Sequence, residues 1–355
     1  MAESGEVVLE LQGIAKDYPV GHKLFGGKRW LHALSPVDLV VHAGDTIALV
    51  GESGCGKSTL GKVLSFVQPA SAGAMWVEGK NVYQVPKKEG RALRTSVQII
   101  HQDPYSALNP RKTVQSILMT PMLAHKVCTR KQAAARAAEL LETVGLVPAA
   151  TFLKKYPYEL SGGQRQRVVI ARSLTVNPKV LVADEAVSMI DVSLRQSILG
   201  TLKRLQEELG LAIVFITHDL AIARYFAQGQ RTAVMYAGRV VEQGPTEQVI
   251  GDPLHPYSAI LRTAVPDPDP DMVTTGGLNI VAGEMPDLTT AEVGCRFANR
   301  CPFASEVCAR ERPELQEAGE GRQVACHHPV SWGALDMTAA SAGGSAAQSQ
   351  VVAGR

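Results

Sequence analysis

Apolar residues fall along this chain in short unbroken strings more than in alternation. Thr46 to Val50, Val97 to Ile100, Val180 to Ala183 and Ala212 to Ile216 are such strings, as expected of strands covered by helices on both faces. Val7 to Leu11 reads as one more strand. Between them the period changes. Thr129 is followed three residues later by Gln132, a capping-box pattern, and Ala133, Ala137, Leu140 and Val144 recur at helical spacing until Gly145. A helix-rich insertion is expected from about Pro104 to Glu159, its subdomain continuing to about residue 175. After Gly238, Arg239 to Pro245 reads as a hairpin return, and Pro266-Asp267-Pro268-Asp269-Pro270 as a stiff linker. The tail from about Ala334 to Arg355 is rich in Ala, Gly and Ser, too poor in large apolar surface to offset ordering entropy. The fold class is α/β, with boundaries expected at 1–265, 266–332 and 333–355.

Composition narrows the partners. The 355 residues are 45% hydrophobic, enough for about two domains. Lys+Arg 36 against Asp+Glu 34 gives a net charge of +2, so no basic field points to nucleic acid. No run of eighteen apolar residues occurs, and the amino terminus lacks a basic region followed by an apolar core. The expectation is a chain neither exported nor membrane-spanning. Of six cysteines, four cluster at Cys295, Cys301, Cys308 and Cys326, which points to a metal site in a reducing compartment.

The chemistry concentrates after the second of the predicted strands. Gly51-Glu52-Ser53-Gly54-Cys55-Gly56-Lys57-Ser58-Thr59 matches G-x-x-x-x-G-K-[ST] between a strand and a helix. Its glycines let backbone N–H groups converge on phosphate oxygens, and the helix start adds a favourable dipole. Lys57 is expected to reach the β/γ phosphates and Ser58 to ligate Mg²⁺. Cys55 reads as a small loop filler more than as a reactive thiol, because phosphates oppose a thiolate. Val180 to Asp184-Glu185 is an apolar strand ending in two acids. Asp184 suits Mg²⁺ and Glu185 suits polarising an attacking water, although a solvated strand end would look the same in isolation.

Leu160-Ser161-Gly162-Gly163-Gln164 opens another predicted helix, a second glycine-rich anion site in the same chain. Here the sequence resembles the ATP-binding subunits of ABC transporters, whose signature is LSGGQ, over about Val7 to Pro266. The resemblance implies a P-loop ABC-type nucleotide-binding domain with a helical insertion, working as a head-to-tail dimer. In it Ser161, Gly163 and Gln164 would contact ATP held by the partner's cradle, while Gly51, Ser53, Gly54, Cys55, Gly56, Lys57, Ser58 and Thr59 hold this chain's own. Tyr18 looks like the aromatic that stacks on adenine, Gln102 the residue linking Mg²⁺ and water to the membrane partner, Asp191 the interface acid and His218 the switch histidine. With Glu185, Gln102 and His218 form the implied catalytic set. The chain departs from the family at Ala186-Val187-Ser188-Met189-Ile190, where Pro commonly follows the Glu and Ala-Leu precede the Asp.

Asp103-Pro104-Tyr105 to Asn109-Pro110, and His255-Pro256-Tyr257 with Leu261 and Pro266, are similar to the oligopeptide/dipeptide importer group. That group implies a second ATPase subunit, identical or paralogous, two transmembrane permease subunits and an external solute-binding protein, with this chain peripheral on the cytoplasmic face. Peptides are the favoured cargo, with oligosaccharide, nickel or glutathione as alternatives and a soluble non-transport ATPase as a further one. The spacing Cys295-x5-Cys301-x6-Cys308-x17-Cys326 lacks the short knuckles of zinc ribbons. Some members of the group carry a four-cysteine [4Fe–4S] module here, so that cluster is expected, with Zn²⁺ as the alternative and a structural role in a small carboxy-terminal module.

Overall fold

The computed structural model describes residues 5–22, 28–263, 285–290 and 293–330. The linker and the tail expected from the sequence lie outside the described residues. In chain order the elements are β1 (Val7–His22), β2 (Lys28–His42), β3 (Thr46–Val50), α1 (Lys57–Leu64), β4 (Ala72–Val77), β5 (Lys80–Asn81), α2 (Lys87–Thr95) and β6 (Val97–Ile100). The insertion follows as α3 (Pro104–Ala107), α4 (Val114–Ala124), α5 (Arg130–Thr143), α6 (Ala149–Leu153) and α7 (Gly162–Leu174). Then come β7 (Val180–Asp184), α8 (Val192–Leu209), β8 (Ala212–Thr217), α9 (Leu220–Phe226), β9 (Arg231–Tyr236), β10 (Arg239–Pro245), α10 (Thr246–Gly251) and α11 (Pro256–Thr263). The last are α12 (Glu306–Arg310), β11 (Gln316–Glu317) and β12 (Gln323–Val324).

Two compact units divide these elements. One takes the described residues up to Lys16, Leu34–Ile47 and Ser58–Thr217; the other takes Asp17–Ala33, Ala48–Lys57 and the described residues from His218 onward. In the first, β6, β7 and β8 pair in parallel, Val97 opposite Val180 and Val180 opposite Ala212. Every residue of β7 and β8 is buried, which explains why their sequences show no polar face. β1 runs well past Leu11, because its pairing with β4 continues to Ala15 through an irregularity after Gln12 that breaks the apolar pattern. Helix α5 begins at the expected capping box of Thr129 and Gln132 and gives way to Gly145 at φ +79°.

In the second unit β9 and β10 form the expected hairpin, and the two-residue strands β12 and β11 add to the outer side of β10. Its core gathers Tyr236, Tyr257 and Phe297, with ring centroids 4.6 to 5.5 Å apart. Beside that core Glu242 is fully buried. Its carboxylate accepts from the backbone N–H groups of Leu254 and His255, both at 2.9 Å, and from Arg322 at 3.1 Å. Among the described residues no helix is long and apolar enough to cross a membrane.

Candidate functional site

The loop between β3 and α1 is held in backbone conformations that side chains resist. Gly51, Gly54 and Gly56 have φ of +152°, +82° and +107°. A Cβ on Gly51 would meet the Met235 carbonyl oxygen at 2.2 Å, so the chain can pass there only as glycine. Lys57 is 4% exposed, and its ammonium donates to the carbonyls of Gly51 at 2.6 Å and Glu52 at 2.8 Å. The amine is thereby aimed along the loop. Ser53 and Gly54 are exposed at its tip, and Thr59 is half-buried in the first turn of α1. Cys55 is buried, and burial pushes its thiol up, which fits a neutral loop filler and not a thiolate.

The two acids at the end of β7 face different partners. Asp184 is 6% exposed, so it is no solvated strand end, and its Oδ1 accepts from the Ser58 hydroxyl at 3.0 Å. Burial pushes its carboxyl up, opposed by that hydrogen bond. A buried, nearly unneutralised carboxylate touching a hydroxyl suits an oxygen-ligated divalent cation. Glu185 takes φ +47°, anchors its N–H on the Ile216 carbonyl at 3.0 Å and accepts at Oε2 from the Gln102 amide at 2.8 Å. Three distant segments therefore supply the pairs Ser58–Asp184 and Gln102–Glu185.

Ser161 caps α7, exchanging bonds with Gln164. Ser161 and Gly162 are exposed while Gly163 is buried, where an added Cβ would press on Leu194 at 3.1 Å. Arg165 behind them donates to the carbonyls of Pro157 and Leu160, and its guanidinium lies 3.8 Å from the centre of the Tyr105 ring. Asp191 is exposed at the head of α8, His218 is exposed directly after β8, and Tyr18 is half-buried on β1. The unusual segment after Glu185 packs inward: Ala186 and Val187 are buried, and the Gln166 amide donates to the Ala186 carbonyl at 2.8 Å.

Two residues bearing on the phosphate loop were not singled out for it by the sequence. The Tyr257 hydroxyl accepts from the Glu52 N–H at 2.8 Å, and Arg300 pairs with the Glu52 carboxylate through both Nη atoms, at 3.0 and 3.1 Å. These contacts span 205 and 248 positions, so no local pattern announces them. His255 is buried and its pKa is lowered to about 3 by burial, leaving a neutral ring whose Nδ1 accepts from the Tyr257 N–H.

The four clustered cysteines come near one another. Cys295 donates its N–H to the Cys308 carbonyl at 2.7 Å, and Cys295 and Cys301 pack on the Tyr236–Tyr257–Phe297 core. Burial first, then the neighbouring sulfurs, pushes Cys301 up to about 11 and Cys326 up to about 12. All four are free thiols. Among the described residues no group of three or more His, Cys, Asp or Glu side chains could hold a metal ion. The expected cluster, and its zinc alternative, is thus not supported by this geometry: the sulfurs share a neighbourhood without forming a ligand group.

The chain matches known proteins over most of its length. The family model described as ABC transporter matches residues 34–188, and that of the oligopeptide/dipeptide transporter C-terminal region matches 241–308. The chain is 43% identical over 330 residues to a Brucella abortus protein named for peptide import ATP binding, covering 92% of this chain and 96% of that one. It is 40% identical over 323 residues to the di/tripeptide transport ATP-binding protein DppF of Pseudomonas aeruginosa, covering 91% and 98%. The solved dimer of the ATP-binding cassette MJ0796 with ADP and Pi superposes with a TM-score of 0.58 at 27% identity, covering 67% of this chain and 98% of that one.

Proposed function

The chain belongs to the ATP-binding subunits of ABC transporters, and from that premise we propose that it hydrolyses ATP to power import of di- or oligopeptides. The observation that carries the reading is the pairing of Ser58 with Asp184 and of Gln102 with Glu185, in a chain that also carries a lysine-bearing glycine loop. The relatives' names for peptide import and di/tripeptide transport support the cargo.

In this reading Lys57 and the loop N–H groups bind the phosphates, and Thr59 lies beside them. Ser58, Asp184 and Gln102 would hold Mg²⁺, which when bound would neutralise charge on the phosphates. Glu185 orients and deprotonates water, and His218 reports on the terminal phosphate. Tyr18 stacks on the base. Ser161, Gly163 and Gln164 at the head of α7, where Ser161 is exposed, Gln164 half-buried and Gly163 buried, serve the nucleotide of a second ATPase subunit, with Asp191 at the same seam. ATP favours the closed pair because it touches both halves, and hydrolysis removes that preference. A groove of about 740 Å³ lined by Tyr105, Asn109, Ile117 and Arg172 suits a helix from one of two permease subunits. An external solute-binding protein delivers cargo, and the chain sits peripherally on the cytoplasmic face.

Lys57→Ala is expected to weaken MgATP binding by about a hundredfold, the scale of losing one charge-assisted contact with phosphate. Equilibrium binding to the full chain checks this; unchanged affinity removes Lys57 from the grip. Stimulated turnover on adding the permease subunits tests the transport role, and a peptide-independent, permease-independent rate would count against it.

A further inference from the structure

We propose that Arg300 is a positioning residue for ATP: it neutralises the Glu52 carboxylate that the phosphate loop carries, so that the loop receives a triphosphate without an opposing charge. The inference rests on the nucleotide reading above and adds a residue from outside the loop and its acids.

Glu52 stands immediately after Gly51, inside the run whose backbone must meet phosphate oxygens. A carboxylate there is an odd companion for a polyanion. Its charge is felt within the loop, since it acts on the Cys55 thiol, and its carbonyl holds the Lys57 ammonium at 2.8 Å. The Glu52 side chain is 30% exposed and Arg300 12%, so water screens the pair only partly. Arg300 answers with a two-pronged contact, 3.0 and 3.1 Å, that also fixes the direction of the carboxylate. A lysine could not reproduce that fork. The guanidinium is in turn oriented by the Tyr236 hydroxyl at 3.4 Å and by the ring face beneath it. Tyr257 meanwhile ties the Glu52 N–H, so backbone and side chain of this one loop residue are both fixed within the same compact unit.

A neutralising role and a mere strut make opposite predictions. With the guanidinium gone, Arg300→Gln is expected to raise the Kd of the full chain for MgATP about tenfold, a plausible size for one unmasked charge at an ion-binding loop. The loss should shrink for AMP, which carries less charge. Glu52→Gln removes the repulsion at its source, so MgATP should bind as tightly as in the unaltered protein or tighter, and the double variant should return to within about twofold of it. Titration calorimetry with MgATP and AMP on the four proteins reads this directly. A strut would give equal losses in Glu52→Gln and Arg300→Gln, no rescue in the double variant and no dependence on phosphate number; any of these overturns the proposal. If Arg300→Gln fails to fold, Glu52→Gln alone decides, because weakened MgATP binding there contradicts neutralisation. Should the unaltered chain bind no ATP, the nucleotide reading itself falls, a result separable from all of these.

Discussion

Replacing Glu185 by Gln is expected to cut ATP turnover by about a thousandfold while leaving MgATP affinity within about twofold, the range for loss of a general base. The substitution is close to silent structurally. It keeps the shape of a side chain set by a backbone at φ +47°, whose N–H stays on the Ile216 carbonyl. The new amide can still meet Gln102 by turning its oxygen toward that donor. What it cannot do is take a proton. Asp184, one residue earlier and bonded to Ser58, retains its place, so MgATP affinity is expected to hold. Single-turnover hydrolysis beside equilibrium ATP binding, measured on the assembled transporter, separates the two effects. Unchanged turnover would remove Glu185 as the base, and a parallel collapse of affinity would make it a structural residue.

Arg322→Met is expected to destabilise the fold by about 3–5 kcal/mol, the scale for stripping one partner from a buried pair. Glu242 is inaccessible to water, and burial pushes its carboxyl up against the hydrogen bonds that hold it charged. Two of those bonds come from the backbone at Leu254 and His255, at the approach to the His255-Pro256-Tyr257 motif. Without Arg322 the carboxylate is left with dipoles alone. A second change, Glu242→Gln, should recover much of the loss, because an amide needs no counter-charge. Urea unfolding of the single and double variants checks this; an Arg322→Met midpoint equal to that of the unaltered protein would show the pair to be dispensable.

Residue pattern alone carried the parallel core and the two acids, for identifiable reasons. β7 and β8 are buried along their whole length, which leaves short apolar strings without the alternation of a half-exposed strand. The glycines of the phosphate loop are dictated by positive φ and by the Met235 carbonyl, a local demand written into local residues. What pattern did not reveal was non-local. β12 and β11 are two-residue strands that exist only because β10 offers an edge. Arg300 looks like any surface cation until the chain returns it to Glu52 across 248 positions. The cysteine spacing suggested a ligand set, but spacing does not fix where sulfurs point, and the described thiols stop short of a metal-holding group.

Arg165 has a mechanical consequence. By gripping the carbonyls of Pro157 and Leu160 while lying on the Tyr105 ring, it rivets the head of α7 to the stretch three residues beyond Gln102. The helix opened by Ser161 is thereby tied to the segment that follows Gln102, whose amide donates to Glu185.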